Sequence, residues 1–140
     1  MNHRARPRRG WERYRDAPNG LLLLLQGELI EHPYLAESYY RGIQHFQSLK
    51  GGDLVRFSAL MYQLFCIFRE LYFQQLDGHL EPRLWGPKET VMRDINAYPG
   101  IQAWWRFHSH SFNKEFANYI NQLQQTATRP RYIGKPVQDQ

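Results

Sequence analysis

His108 and His110 stand two positions apart, a spacing that suggests a metal pair. On a strand, two such rings project to one side, but on a helix they diverge by about 200°. Zinc needs a third ligand and usually a fourth, and no cysteine or acidic residue falls at motif spacing around them. His108 shares a helical face with Ile101, Trp104 and Trp105, so it reads as a histidine at the edge of a core and no metal is expected. Glu70 is the other candidate, a carboxylate on a largely apolar helix. A neighbouring histidine such as His45, His79 or His108 would give it an acid/base partner, but that chemistry also needs a cleft. Arg56, Gln63, Glu70 and Gln74 recur at one angular position of that helix, which marks a polar strip. The strip is either a solvated edge or a line of hydrogen bonds between helices. Cys66 is the only cysteine. It can form no internal disulfide, and as a thiol among apolar neighbours it is expected to be inert.

No phosphate-cradling glycine loop, nucleophile elbow or His-Glu-x-x-His pattern is present, and no cofactor is expected. Trp104 and Trp105 have the rings to stack a base or sugar, but at helical spacing they read as core.

Charge is divided unevenly along the chain. The whole carries a formal +5. Residues 1–15 hold six arginines, Arg4, Arg6, Arg8, Arg9, Arg13 and Arg15, against Glu12 alone. Residues 16–128 are slightly acidic, with nine Lys or Arg against eleven Asp or Glu. The basic character therefore belongs to the ends. The arm interleaves its arginines with Trp11 and Tyr14, the composition of a segment that binds nucleic acid or anionic lipid headgroups by displacing counterions. The opposing reading is a solvated tail without a partner.

The helices that would position these groups are marked by proline, glycine and a period near 3.6. Residues 1–19, with Pro7, Gly10 and Pro18, read as a flexible basic arm, 20–128 as one helical domain, and 129–140 as a tail. A first helix is expected near 21–31. A second starts at Pro33, with Leu35, Tyr39, Ile43 and Phe46 on one face, and ends at Gly51 and Gly52. Asp53 is then the natural N-cap of a third helix over 54–76. There Phe57, Leu60, Met61, Leu64, Phe68, Leu71 and Tyr72 form a continuous stripe. Tyr62, Cys66 and Phe73 add a second apolar strip on the opposite side. A helix apolar over most of its circumference is normally surrounded, so this one is expected at the centre of the bundle.

Gly78 is a helix stop, Pro82 starts a fourth helix, and Gly86 with Pro87 is expected to kink or split it. Tyr98, Pro99 and Gly100 precede a short aromatic helix. Asn113 caps a last one, with Phe116, Tyr119, Ile120 and Leu123 inward. The fold class is all-α, a bundle of five or six helices around the third. The longest apolar run, 21–25, is far short of a membrane span, and the richest window, 57–68, contains Ser58 and Gln63.

Several of these positions together resemble a family of uncharacterised bacterial all-helical proteins. They are Phe57, Ser58, Ala59, Leu60 and Met61, then Phe68, Arg69, Glu70, Leu71 and Tyr72. Gln75, Asp77, Gly78, Leu80, Leu84, Trp85, Tyr98, Pro99, Gly100, Trp104 and Trp105 continue the pattern. Tyr40, Arg41 and Gly42 precede it, and Phe112, Asn113, Lys114, Glu115 and Phe116 follow. The resemblance covers about 33–123 and carries no catalytic motif. It implies a helical fold and, because members often carry an N-terminal transmembrane anchor, an association with membrane. The Arg-rich arm stands where that anchor would, and Gly86 with Pro87 interrupts a helix that is usually continuous. The lone cysteine points instead to a reducing, cytoplasmic setting. The function expected is a non-catalytic interaction module with a protein partner. The alternatives are an enzyme built on Glu70 and a histidine, and an accessory that docks through its arm.

Overall fold

In the computed structural model, which describes residues 20–131, the described residues fold into six α-helices. They are α1 (Gly20–Glu31), α2 (Pro33–His45), α3 (Gly51–Leu76), α4 (Pro82–Ile95), α5 (Pro99–His108) and α6 (Lys114–Thr126). Single 3-10 turns, Phe46–Ser48 and Ser109–Ser111, follow α2 and α5. No strand occurs among the described residues, so the all-α bundle stands.

Proline opens three of these helices. Pro33, Pro82 and Pro99 each fall in a first turn, where the missing N–H costs no hydrogen bond. Gly78 closes α3 in the left-handed region at φ 74°. There His79 N donates to Gln74 O at 2.8 Å and Gly78 N to Gln75 O at 3.2 Å, which satisfies two terminal carbonyls.

The expected caps did not form. α3 begins two residues before Asp53, with Lys50 at the N-cap position, and the Asp53 carboxylate is engaged with side chains instead. Asn113 occupies the N-cap position of α6 but makes no side-chain capping bond. Gly86 and Pro87 do not split α4, which runs through them as one element. Both are exposed. The carbonyl that Pro87 leaves without a backbone donor is therefore within reach of water, and Thr90 Oγ1 donates to Gly86 O at 3.1 Å.

The core lies along α3. Phe57, Leu60, Met61, Leu64, Phe65, Ile67, Phe68 and Leu71 are buried, and together they span an arc of about 160° around the helix axis. Tyr39 and Ile43 of α2, Met92 and Ile95 of α4, and Phe116, Ile120 and Leu123 of α6 close over that arc. From α5, Trp104 and Trp105 stack on Phe65 at ring-centroid distances of 5.5 and 4.6 Å.

The opposite side of α3 is not enclosed. Tyr62 is 46% exposed, while Cys66 and Phe73 are half-buried at the margin of the core. A second apolar strip is therefore present, but it faces outward, and α3 is a wall of the bundle rather than its enclosed axis.

Two features fix α5 against the rest. At the crossing of α2 and α5, a Cβ on Gly100 would stand 1.7 Å from the Gly42 carbonyl oxygen, so the two backbones touch. Behind it, Asn96 is fully buried. Its Nδ2 donates to Met92 O at 2.8 Å and its Oδ1 accepts from Gln124 Nε2 at 2.8 Å. Its carbonyl accepts from Gln102 Nε2 at 2.9 Å. One amide thus ties the end of α4 to α5 and α6, and every hydrogen-bonding atom on it that burial would penalise is paired.

Candidate functional site

The first charged constellation lies where α2 meets the start of α3. Asp53 Oδ1 accepts from Ser38 Oγ at 2.8 Å and from an Arg56 guanidinium nitrogen at 3.0 Å. Asp53 Oδ2 lies 2.9 Å from the Arg41 guanidinium, and Arg56 Nε donates to Ser38 Oγ at 3.1 Å. Arg41 also lies 3.5 Å from Glu37, one turn earlier on its own helix. The Ser38 hydroxyl has one proton and two acceptors within reach, Asp53 Oδ1 and Tyr34 O at 2.9 Å.

The hydrogen bonds from Ser38 and then Arg56 hold the Asp53 carboxyl below the usual carboxylate range, helped by the charges of Arg41 and Arg56 against the opposing effect of burial. A carboxylate so held is a permanent anion at neutral pH and has no proton to exchange there. It clasps the first turn of α3 to α2 and complements the positive end of the helix dipole.

A folded pKa below the unfolded one gives stability that is full above the unfolded value and is lost as the pH falls through the folded one. Asp53→Asn should therefore be less stable than the wild type at neutral pH. The gap should close as the pH falls through the lowered folded pKa, below which both chains carry a neutral side chain. Urea unfolding of both proteins across that range measures it, and a gap independent of pH would show that the carboxylate charge is not what the clasp uses.

Arg56, Gln63, Glu70 and Gln74 do share one flank of α3. Arg56 belongs to the clasp, Gln63 is exposed, and Gln74 is half-buried. Glu70 has 55% of its side chain exposed, with Arg69 at 3.8 Å. No hydrogen bond joins Glu70 to His45, His79 or His108 among the described residues. Gln63 and Glu70 thus face water while Arg56 hydrogen-bonds between helices, and no hydrogen bond brings the acid and a histidine together.

His108 packs its ring flat on Trp104, centroids 4.2 Å apart at 9°. Its Nδ1 lies 2.9 Å from Trp104 O, an acceptor only, so Nδ1 carries the proton. His110 is exposed, and no group of three metal-capable side chains occurs among the described residues. Burial pushes the Cys66 thiol up, which keeps it protonated. Arg4, Arg6, Arg8, Arg9, Arg13 and Arg15 lie outside the described residues.

The surface that remains is the outward side of α3. Val55, Ala59, Tyr62, Cys66, Arg69, Phe73 and Leu76 follow one another at alternating steps of four and three. That is the seam spacing of a helix which packs along another helix. None of the seven is buried, and Val55 and Leu76 are 68% and 48% exposed. The spacing was present in the sequence. Tyr62, Cys66 and Phe73 were legible there as a second apolar strip, but its exposure was not, because a helix apolar on both sides reads as enclosed.

Elsewhere, α1 sits over a small apolar cleft lined by Leu25, Leu29, Tyr39, Leu60, Leu64 and Ile95, with no charged side chain among these residues. No helix among the described residues is long and apolar enough to cross a membrane. No family model, no curated protein and no solved structure matches this chain.

Proposed function

We propose that the chain is a helical interaction module that presents the outward face of α3 to a partner helix. The observation that carries this reading is the seam itself. Singly exposed apolar residues are ordinary on any protein surface. Here, however, Val55, Ala59, Tyr62, Cys66, Phe73 and Leu76, with Arg69 the one charge among them, line up for three heptads along one side of a helix whose other side is the domain core. Apolar patches of that continuity mark places where proteins meet. A catalytic reading finds less support, because Glu70 stands in water beside Arg69 on the flank of this same face.

The test places a charge in the middle of the seam. Tyr62 is half exposed and its ring rests on Phe112 at the margin of the core with centroids 5.5 Å apart, so Tyr62→Glu removes no buried side chain. The variant should melt within a few degrees of the wild type and lose the binding partner that the full chain retains on a column. Retention of the same partner by both proteins would remove α3 as the binding face.

A further inference from the structure

We infer that the partner across the α3 seam is a second copy of this chain, with its α3 running antiparallel; this rests on the reading of α3 as an interaction face and gives that face its occupant. The argument is one of size and charge. In one antiparallel register, Val55 stands level with the partner's Phe73, Ala59 with the partner's Arg69, and Tyr62 with the partner's Cys66. The two-fold symmetry repeats each pair in reverse. Every large side chain then meets a small or medium one, which is what knobs need in order to enter holes. Leu76 falls level with the partner's Gly52, which has no side chain of its own but lies beside that chain's Arg56 guanidinium.

The flank agrees with the same register. Arg56, Gln63 and Glu70 lie one position beyond Val55, Tyr62 and Arg69, and Gln63 is midway between the two charges. In that register the two-fold falls level with Leu64, so Gln63 and the partner's Gln63 stand one residue to either side of it, and Arg56 lies two residues, about 3 Å, from level with the partner's Glu70, twice per pair. Glu70 has room for a second partner, since its contact with Arg69 is long, at 3.8 Å. A parallel arrangement is worse in both respects. It would face Arg69 with the partner's Arg69, like charges directly opposed, and would crowd Tyr62 and Phe73 against their own copies. The helix is also long enough. Its 26 residues extend about 39 Å at 1.5 Å per residue.

The experiment uses the full chain. Sedimentation equilibrium should give twice the 16.8 kDa chain mass, and Tyr62→Glu should weaken the association by about tenfold or more. Orientation is read by cross-linking on a Cys66→Ser background that itself sediments as a dimer. Ala59→Cys and Arg69→Cys are prepared separately, and each is checked for an unchanged helical spectrum and melting curve. Under mild oxidation neither variant alone should form a covalent dimer, and a mixture of the two should.

Covalent dimers from each variant alone would overturn the antiparallel register. A dimer indifferent to Tyr62→Glu would overturn the surface. Sedimentation as a monomer would overturn self-association. If that monomer still binds another protein in a way that Tyr62→Glu abolishes, the interaction reading stands without it, and if it binds none, both fall.

Discussion

Gly100→Ala should destabilise the domain by about 3–5 kcal/mol, in the range reserved for core changes that the structure cannot absorb. The cause is room alone. Gly100 does not have a positive φ, so its backbone suits any residue. A Cβ there would nonetheless lie 1.7 Å from Gly42 O, 2.6 Å from Ile43 C and 2.7 Å from Ile43 O. These are main-chain atoms in the last turns of α2, and no rotamer change can move them aside. α5 would have to lift from α2, and Trp104 and Trp105, both on α5, would be drawn away from Phe65. Gly27→Ala serves as the opposite case, because that glycine lies inside α1 with nothing within 4 Å of a new Cβ. It should gain roughly 0.5–1 kcal/mol from lost unfolded-state freedom. Thermal melts of the two variants should move in opposite directions, and a Gly100→Ala protein that melts with the wild type would mean the helices do not meet backbone to backbone.

The second large effect is expected at Phe65. Its ring is fully buried and lies within 6.2 Å of four others, those of Phe68, Trp104, Trp105 and Phe112. Phe65→Ala removes the surface on which both tryptophans stack and leaves a cavity walled by rigid rings. The loss should be about 3–5 kcal/mol, and near the top of that range because flat, interlocked aromatics collapse poorly into a void. Tyr62→Ala, three residues earlier and on the outer face, should cost under about 1 kcal/mol in the monomer. The near-ultraviolet circular dichroism of the two tryptophans should change for Phe65→Ala and hold for Tyr62→Ala. Similar losses at both positions in urea unfolding would place the core on the wrong side of α3.

Phe65 also shows where sequence reasoning stopped short. The stripe of Phe57, Leu60, Met61, Leu64, Phe68, Leu71 and Tyr72 was visible from its spacing, and all of it is buried except Tyr72, which is half-buried. Phe65 and Ile67 sit at the two edges of that stripe and are buried as well, Phe65 beneath the two tryptophans of α5. Which flank of a helix is covered depends on where other helices lie, and a helical period carries no information about that. The turn at Gly78 and the prolines at Pro33, Pro82 and Pro99 were readable because each acts through its own backbone. Asp53 was not. A carboxylate near a helix start has two local uses, capping and ion pairing, and the choice fell to Ser38 and Arg41 on another helix. The contact of Gly42 with Gly100 was likewise invisible, since the two glycines are far apart in the chain and nothing near either announces the other. At the candidate site the polar strip and the outer apolar strip were both legible as angular positions. Whether they faced water or protein was not.

The backbone contact between α2 and α5 has a consequence for how the chain can be divided. Between Gly42 and Gly100 lies all of α3 and α4, so the crossing closes a long loop, and the entropy of that closure must be met before any of its packing is gained. Neighbouring helices such as α1 and α2 are joined by a single residue and can pair early at little entropic expense. A fragment ending after α3 would keep such pairs yet leave Phe65 without its tryptophans and Gly42 facing solvent. A fragment starting at α4 would hold the buried Asn96 hub but lack the helix on which its aromatic faces rest. Neither half contains a complete core, so the smallest stretch that can stand alone is the whole run from α1 to α6, and a cut anywhere in the loop it encloses separates pieces that need each other to fold.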